Sequence, residues 1–205
     1  MVNRFMVFSG TANPALAHLI ARELGSQFGN CVLKRYPDGE VSVQIRGSVR
    51  RKEVFLVQPT SLPADDHLIE LIALADACRR AGAARIAAVV PFFGYGRSDK
   101  RRGRRSPIMA RTAADFAGFL EVAGIDHVIT VDPQAAQSEG LLHVPVDSLT
   151  AGPTLCGALR GRVPARIVIV APDTGVSRWR TTMRSASTRQ LSFCTSVEWT
   201  GLRPK

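Results

Sequence analysis

Paired cysteines are missing from this chain, and several function classes go with them. Cys31, Cys78, Cys156 and Cys194 stand far apart with no C-x-x-C spacing, which argues against a disulfide framework or a structural zinc site. Long apolar runs are missing too: none approaches the roughly 20 residues that a membrane-crossing helix needs. The opening Met1-Val2-Asn3-Arg4-Phe5 leads straight into a strand pattern, without the apolar core of a signal peptide. A soluble, cytoplasmic protein is the expectation. Aromatic residues make up only 6% of the chain. Ala, Val, Ile and Leu carry the apolar content instead, which favours helices packed on a sheet.

Acidic residues are also scarce: 17 Asp and Glu face 27 Lys and Arg, a formal net charge of +10 over 205 residues. The excess is local. Residues 97–111 hold seven basic residues and one acidic, and residues 178–205 hold six and one. The rest of the chain is near neutral. A protein that coats nucleic acid more often spreads its charge over a face, and no helix-turn-helix, zinc or RNP signature is present. A basic nucleic-acid-binding module is therefore the third-ranked reading, one that steep salt dependence of binding to generic duplex would support.

What is present alternates. Residues 5–9 read as a strand. Asn13 caps a helix with Pro14 at its first position, Leu16, Leu19, Ile20 and Leu24 on its apolar face, and Gly29-Asn30 as its stop. Residues 32–36 and 41–45 read as strands joined by Pro37-Asp38-Gly39, a strong turn signal. Residues 54–58 form a short buried strand. Residues 64–80 form a helix capped by Asp65-Asp66, with Leu68, Ile69, Leu71, Ile72 and Ala75 inward. Strand 85–90, helix 107–122 and strand 126–131 follow. Strands alternating with helices argue for βαβ units, hence an α/β fold with a parallel-rich sheet flanked by helices. The expected divisions are an N-terminal α/β domain over 1–147, the start of a second α/β domain over 148–178, and a disordered tail over 179–205.

The densest signal sits after strand 85–90. Pro91-Phe92-Phe93-Gly94-Tyr95-Gly96 leads into Arg97, Ser98, Lys100, Arg101, Arg102, Arg104 and Arg105, then Ser106 and Pro107 open a helix. Ligands of α/β sheets bind past the carboxyl ends of strands. Concentrated cations beside a helix N-terminus suit polyphosphate. On charge alone, a solvated basic loop fits as well.

This segment resembles the ribose-phosphate diphosphokinase (PRPP synthetase) family, which has an aromatic-Gly-Tyr-x-Arg-Gln-Asp-basic loop ending in Pro-Ile. The resemblance runs from Phe5 to about Arg178. It includes Asn13-Pro14, Tyr36-Pro37-Asp38-Gly39-Glu40, Gln58, Val131-Asp132, Gln137-x-x-Gly140, Val144-Pro145-Val146-Asp147 and Ala171-Pro172-Asp173. It implies a phosphoribosyltransferase-like N-terminal domain. It also implies transfer of pyrophosphate from ATP to ribose 5-phosphate, giving PRPP and AMP with Mg²⁺. Tyr36, Asp38, Gly39, Glu40, Arg97 and Ser98 would meet ATP. Arg101, Arg102 and Arg104 would supply charge for catalysis. Asp173 would hold the metal, with Gln134 where the family has histidine. In the family the Tyr36 loop reaches ATP on a neighbouring subunit, so a homo-oligomer, or a hetero-oligomer with a full-length homologue, is implied. From the residues alone, Tyr36–Glu40 reads as a hairpin turn and Asp173 equally well as a cap. His18, His67, His127 and His143 form no constellation.

The departures matter as much. Ser98 is shorter than the family's glutamine. Gln134 carries no charge and is a poor magnesium partner. Asp173-Thr174-Gly175-Val176 is one glycine short of the family pattern, and unrelated sequence follows. The family's ribose-phosphate loop and its Lys-x-Arg element have no counterpart. These departures predict a truncated or frame-altered C-terminus and little PRPP formation. The rival reading is a non-catalytic homologue that keeps the oligomer-forming domain.

Overall fold

The computed structural model describes residues 4–95, 112–133, 142–159, 162, 167–171 and 191–195; for 112–113, 167–171 and 191–195 it describes the backbone alone. The chain divides into two compact units, Met1–Leu149 and Thr150–Lys205.

The first unit is built on β1 (Phe5–Ser9), β2 (Gln27–Phe28), β5 (Glu53–Val57), β6 (Arg85–Val90), β7 (His127–Val131) and β8 (Val146–Leu149), all parallel. Their order across the sheet is β2-β1-β5-β6-β7-β8. Between them run α1 (Pro14–Glu23), α2 (Ala64–Arg80) and α3 (Thr112–Val122). The parallel-rich α/β sheet expected from the alternation is the fold observed. Short apolar runs such as Ile86-Ala87-Ala88 are buried throughout, as suits inner strands of a parallel sheet.

One face carries the main core. Phe8, Leu56, Leu71, Leu74, Leu120 and Ile125 are buried there between sheet, α2 and α3. The other face is covered by α1, whose Ala17 and Ala21 pack on Val7 and Val57. Small residues let that helix approach closely, so Leu19 and Leu24, expected inward, are instead 47% and 54% exposed. The helix also stops sooner than Gly29. Gly25, at φ +57°, ends it, and β2 occupies the residues beyond. In α2, Ile69 is half exposed and its neighbour Glu70 is buried.

A separate antiparallel hairpin, β3 (Asn30–Arg35) with β4 (Val41–Arg46), lays Cys31, Leu33, Val43 and Ile45 against the main core. Its turn needs Gly39, at φ +92°.

The second unit contains α4 (Gly152–Leu159) and a parallel pair, β9 (Ile167–Ala171) with β10 (Leu191–Thr195). No helix was expected at 152–159, although Pro153 suits a first turn. Leu191–Thr195 lies inside the stretch read as an aperiodic tail, and there the backbone is a strand. Five residues are too few for alternation to stand out among Ser, Thr and Arg. No described helix is long and apolar enough to cross a membrane.

Candidate functional site

The carboxyl ends of β1, β5 and β6 lie side by side, and a buried polar network joins the first two to α2. Gln58, just past β5, is fully buried. Its amide nitrogen donates to Glu70 Oε2 at 2.8 Å and to the His67 carbonyl at 3.2 Å. Its oxygen accepts from Ala12 N at 3.2 Å. Glu70 Oε2 also accepts from the Thr11 hydroxyl at 2.6 Å and from Thr11 N at 3.2 Å. Its other oxygen pairs with Arg35 Nη2 at 3.2 Å. A buried carboxylate survives only with its lone pairs occupied, and here four donors occupy them.

Arg35 ends β3, so the same guanidinium anchors the hairpin turn. Nη1 pairs with Asp66 at 3.2 Å and donates to the Gly39 carbonyl at 3.1 Å. Within the turn, Tyr36 N donates to the Glu40 carbonyl, Gly39 N to the Tyr36 carbonyl, and Glu40 N to Asp38 Oδ1. Tyr36, Asp38, Gly39 and Glu40 are thus held together at one exposed tip, with Tyr36 55% exposed.

The aromatic-glycine turn is locked just as firmly. Thr60, beyond β5, donates through N and Oγ1 to the Phe92 carbonyl, at 2.9 and 3.0 Å. Its hydroxyl accepts from Gly94 N at 2.6 Å. Gly94 is required here, because a Cβ would meet the Thr60 carbonyl oxygen at 2.8 Å. Tyr95 follows at φ +62°, its ring 4.5 Å from Phe116 of α3 and its hydroxyl donating to Asp65. That hydrogen bond holds the Tyr95 hydroxyl above its ordinary pKa, with burial and the Asp65 charge adding to it.

Asp65 and Asp66 correct an expectation. No side chain caps α2. The two carboxylates reach outward, to Tyr95 and Arg35. They line a groove of about 580 Å³ with Leu62, Pro63, Ala64 and Tyr95. Both still sit in the first turn, where the helix dipole favours them.

Arg97, Ser98, Arg101, Arg102, Arg104, Gln134 and Asp173 lie outside the described residues. Among the described residues, no three His, Cys, Asp or Glu groups converge as metal ligands. The chain direction into the basic run is nonetheless defined up to Tyr95. Sequence reasoning missed Thr11, Arg35, Thr60 and Glu70. Only Glu70 left a signal, a charge set among the apolar positions Leu68, Leu71 and Leu74.

The chain is similar to known proteins of one family. A family profile for the N-terminal domain of ribose phosphate pyrophosphokinase matches residues 5–124. Ribose-phosphate pyrophosphokinase of Marinomonas sp. (strain MWYL1) is 43% identical over 175 residues, 85% of this chain and 55% of that protein. The Bordetella pertussis protein of the same name is 45% identical over 170 residues, 83% of this chain and 54% of its own length. The chain thus spans about half the length of the curated relatives it matches. The crystal structure of phosphoribosylpyrophosphate synthetase from Mycobacterium smegmatis superimposes with a TM-score of 0.83 at 32% identity. That match covers 95% of this chain and 65% of the other.

Proposed function

Because this chain belongs to the ribose phosphate pyrophosphokinase family through the N-terminal domain at residues 5–124, we propose that it binds ATP at the carboxyl edge of its sheet. It is one half of a site that moves pyrophosphate from ATP to ribose 5-phosphate. In that reaction the anomeric hydroxyl oxygen bonds to the β-phosphorus and its proton passes to solvent. The bond from that phosphorus to the α-phosphate oxygen breaks, and AMP leaves as PRPP forms. Such a transfer asks the protein mainly for positioning and positive charge.

The observation that supports this best is the locked turn after β6. Thr60 and Gly94 fix the chain at the strand ends, and the concentrated cations begin two residues after Tyr95. Arg97 binds the phosphates, Ser98 lies beside them, and Arg101, Arg102 and Arg104 offset developing charge. Tyr36 lies against the adenine, and Asp38, Gly39 and Glu40 give it polar and backbone contacts. Asp173 would hold Mg²⁺ through its carboxylate, a suitable hard ligand, and the ion would offset phosphate charge. Gln134 has only a neutral amide to offer, and the described residues do not complete a site for the ion. The chain works in the cytoplasm as an oligomer, with copies of itself or with a full-length homologue.

Calorimetry with Mg-ATP tests this. The chain is expected to bind, and Arg97→Ala to weaken binding about tenfold, equivalent to ~1.4 kcal/mol. Equal affinity in both would remove Arg97 from the site. No binding by the unaltered chain would overturn the reading. A second reading, a non-catalytic partner of a full-length homologue, draws on Gln134 in the histidine position. In that case ATP binds and oligomers form without turnover.

A further inference from the structure

The first turn of α2 touches both loops just assigned to nucleotide. Asp65 accepts the Tyr95 hydroxyl at the end of the aromatic-glycine turn. Asp66, the next residue, pairs with Arg35 at 3.2 Å, and Arg35 in turn holds the Gly39 carbonyl of the hairpin tip. Successive helix residues point about 100° apart, since a turn takes 3.6 residues. Two adjacent carboxylates can therefore reach two loops approaching from different sides. The helix behind them is rigidly seated: Leu68, Leu71, Leu74 and Ala75 are buried in the main core, and Glu70 adds a second tie to Arg35.

We propose that Asp65 and Asp66 are positioning residues that couple the hairpin tip at 36–40 to the aromatic-glycine turn at 91–95. The two loops are then set as one unit by the start of α2, and a shift in one is transmitted to the other. The groove between Leu62, Asp65, Asp66 and Tyr95 is the space across which the coupling acts. For the nucleotide the consequence is that the base side and the phosphate side are aligned together. This last step rests on the reading that both loops bind ATP; the coupling itself does not.

Tyr95 is a neutral donor, so an acceptor oxygen is all it needs from residue 65. Asp65→Asn keeps such an oxygen, whereas Asp65→Ala removes it. Tyr95→Phe removes the donor and leaves the ring against Phe116. Neither Asp65 nor Tyr95 makes a described hydrogen bond or ion pair with residues 36–40.

The test is amide hydrogen exchange on the full chain, read at Tyr36, Gly39 and Glu40, with and without Mg-ATP. Tyr95→Phe and Asp65→Ala are expected to speed exchange at the hairpin tip about fivefold, a usual size for coupling between linked sites. The double variant should add nothing further, and Asp65→Asn should restore the unaltered rate. Changes confined to residues 91–95 in Tyr95→Phe would overturn the proposal. So would an Asp65→Asn variant as fast as Asp65→Ala. If the hairpin responds but ATP binds nowhere, the coupling stands and the nucleotide reading falls. If ATP binds and the hairpin does not respond, the coupling alone falls.

Discussion

Gly10 has no room for a methyl group. A Cβ there would meet the Gln58 side-chain oxygen at 2.1 Å and its carbon at 2.3 Å. That side chain is fully buried and bonded to Glu70, the His67 carbonyl and Ala12. Gly10→Ala must therefore displace a satisfied amide. It is expected to cost about 1–3 kcal/mol, the usual range for overpacking, as read by denaturant unfolding. A change within ~0.5 kcal/mol, as for an ordinary surface substitution, would mean the amide finds an equal place elsewhere. Residues differ in how openly they announce such roles. Cys78 was legible as core because it lies on an apolar helical stripe. It is fully buried, and burial followed by the nearby Cys31 pushes its thiol up to about 12. The hairpin turn was legible because Pro37, Asp38 and Gly39 cluster there. Arg35 and Thr11 were not, since each acquires its partner only when α2 packs across the strand ends.

At the scale of elements, the far end of α2 is as tied as its start. Asp76 accepts from Arg79 at 2.9 Å and from Arg80 at 2.6 Å, and Arg79 also donates to the Val122 carbonyl of α3. Those hydrogen bonds, Arg80 first and then Arg79, hold the Asp76 carboxyl below its ordinary value near 3.8. A carboxyl lowered in the folded state contributes stability above that ordinary value. The contribution fades as pH falls through the lowered one. The carboxylate is about one-third exposed (35%), so the contribution is expected to be under about 1 kcal/mol. An NMR titration of the Asp76 carboxyl should give a midpoint below the ordinary value, returning toward it in Arg80→Ala. A midpoint at or above the ordinary value would contradict the assignment. Long elements were legible because burial repeats within them: α2 spans 17 residues and β6 is an unbroken apolar run after Arg85. β2 has two residues and β10 five. β2 is too short for periodicity to separate from chance, β10 follows sequence rich in Ser, Thr and Arg, and each pairs with a neighbouring strand.

For the whole molecule, the half-length match sets the strongest expectation. PRPP formation needs ATP and ribose 5-phosphate held in near-attack geometry, and losing that alignment forfeits several kcal/mol of barrier lowering. The 205 residues correspond to about half the length of the curated relatives they match. The purified 205-residue chain is therefore expected to release little AMP or PRPP from ATP and ribose 5-phosphate with Mg²⁺. Turnover in the ordinary enzyme range of roughly 1–1,000 per second would mean that these residues suffice for the whole site. The parallel sheet itself was legible from its buried strands. The order β2-β1-β5 was not, because pairing between strands so far apart in sequence is decided by packing.

The margins of that sheet have one more effect. An unpaired strand edge is a template on which foreign strands can grow, and fibril-forming segments run to about six or seven residues. Among the described residues, the edge strands of the six-stranded sheet are β2, with two residues, and β8, with four. Within β8, Asp147 adds a carboxylate that is 60% exposed. The sheet is therefore shielded against fibrillar stacking at both rims by brevity, and at one of them also by charge.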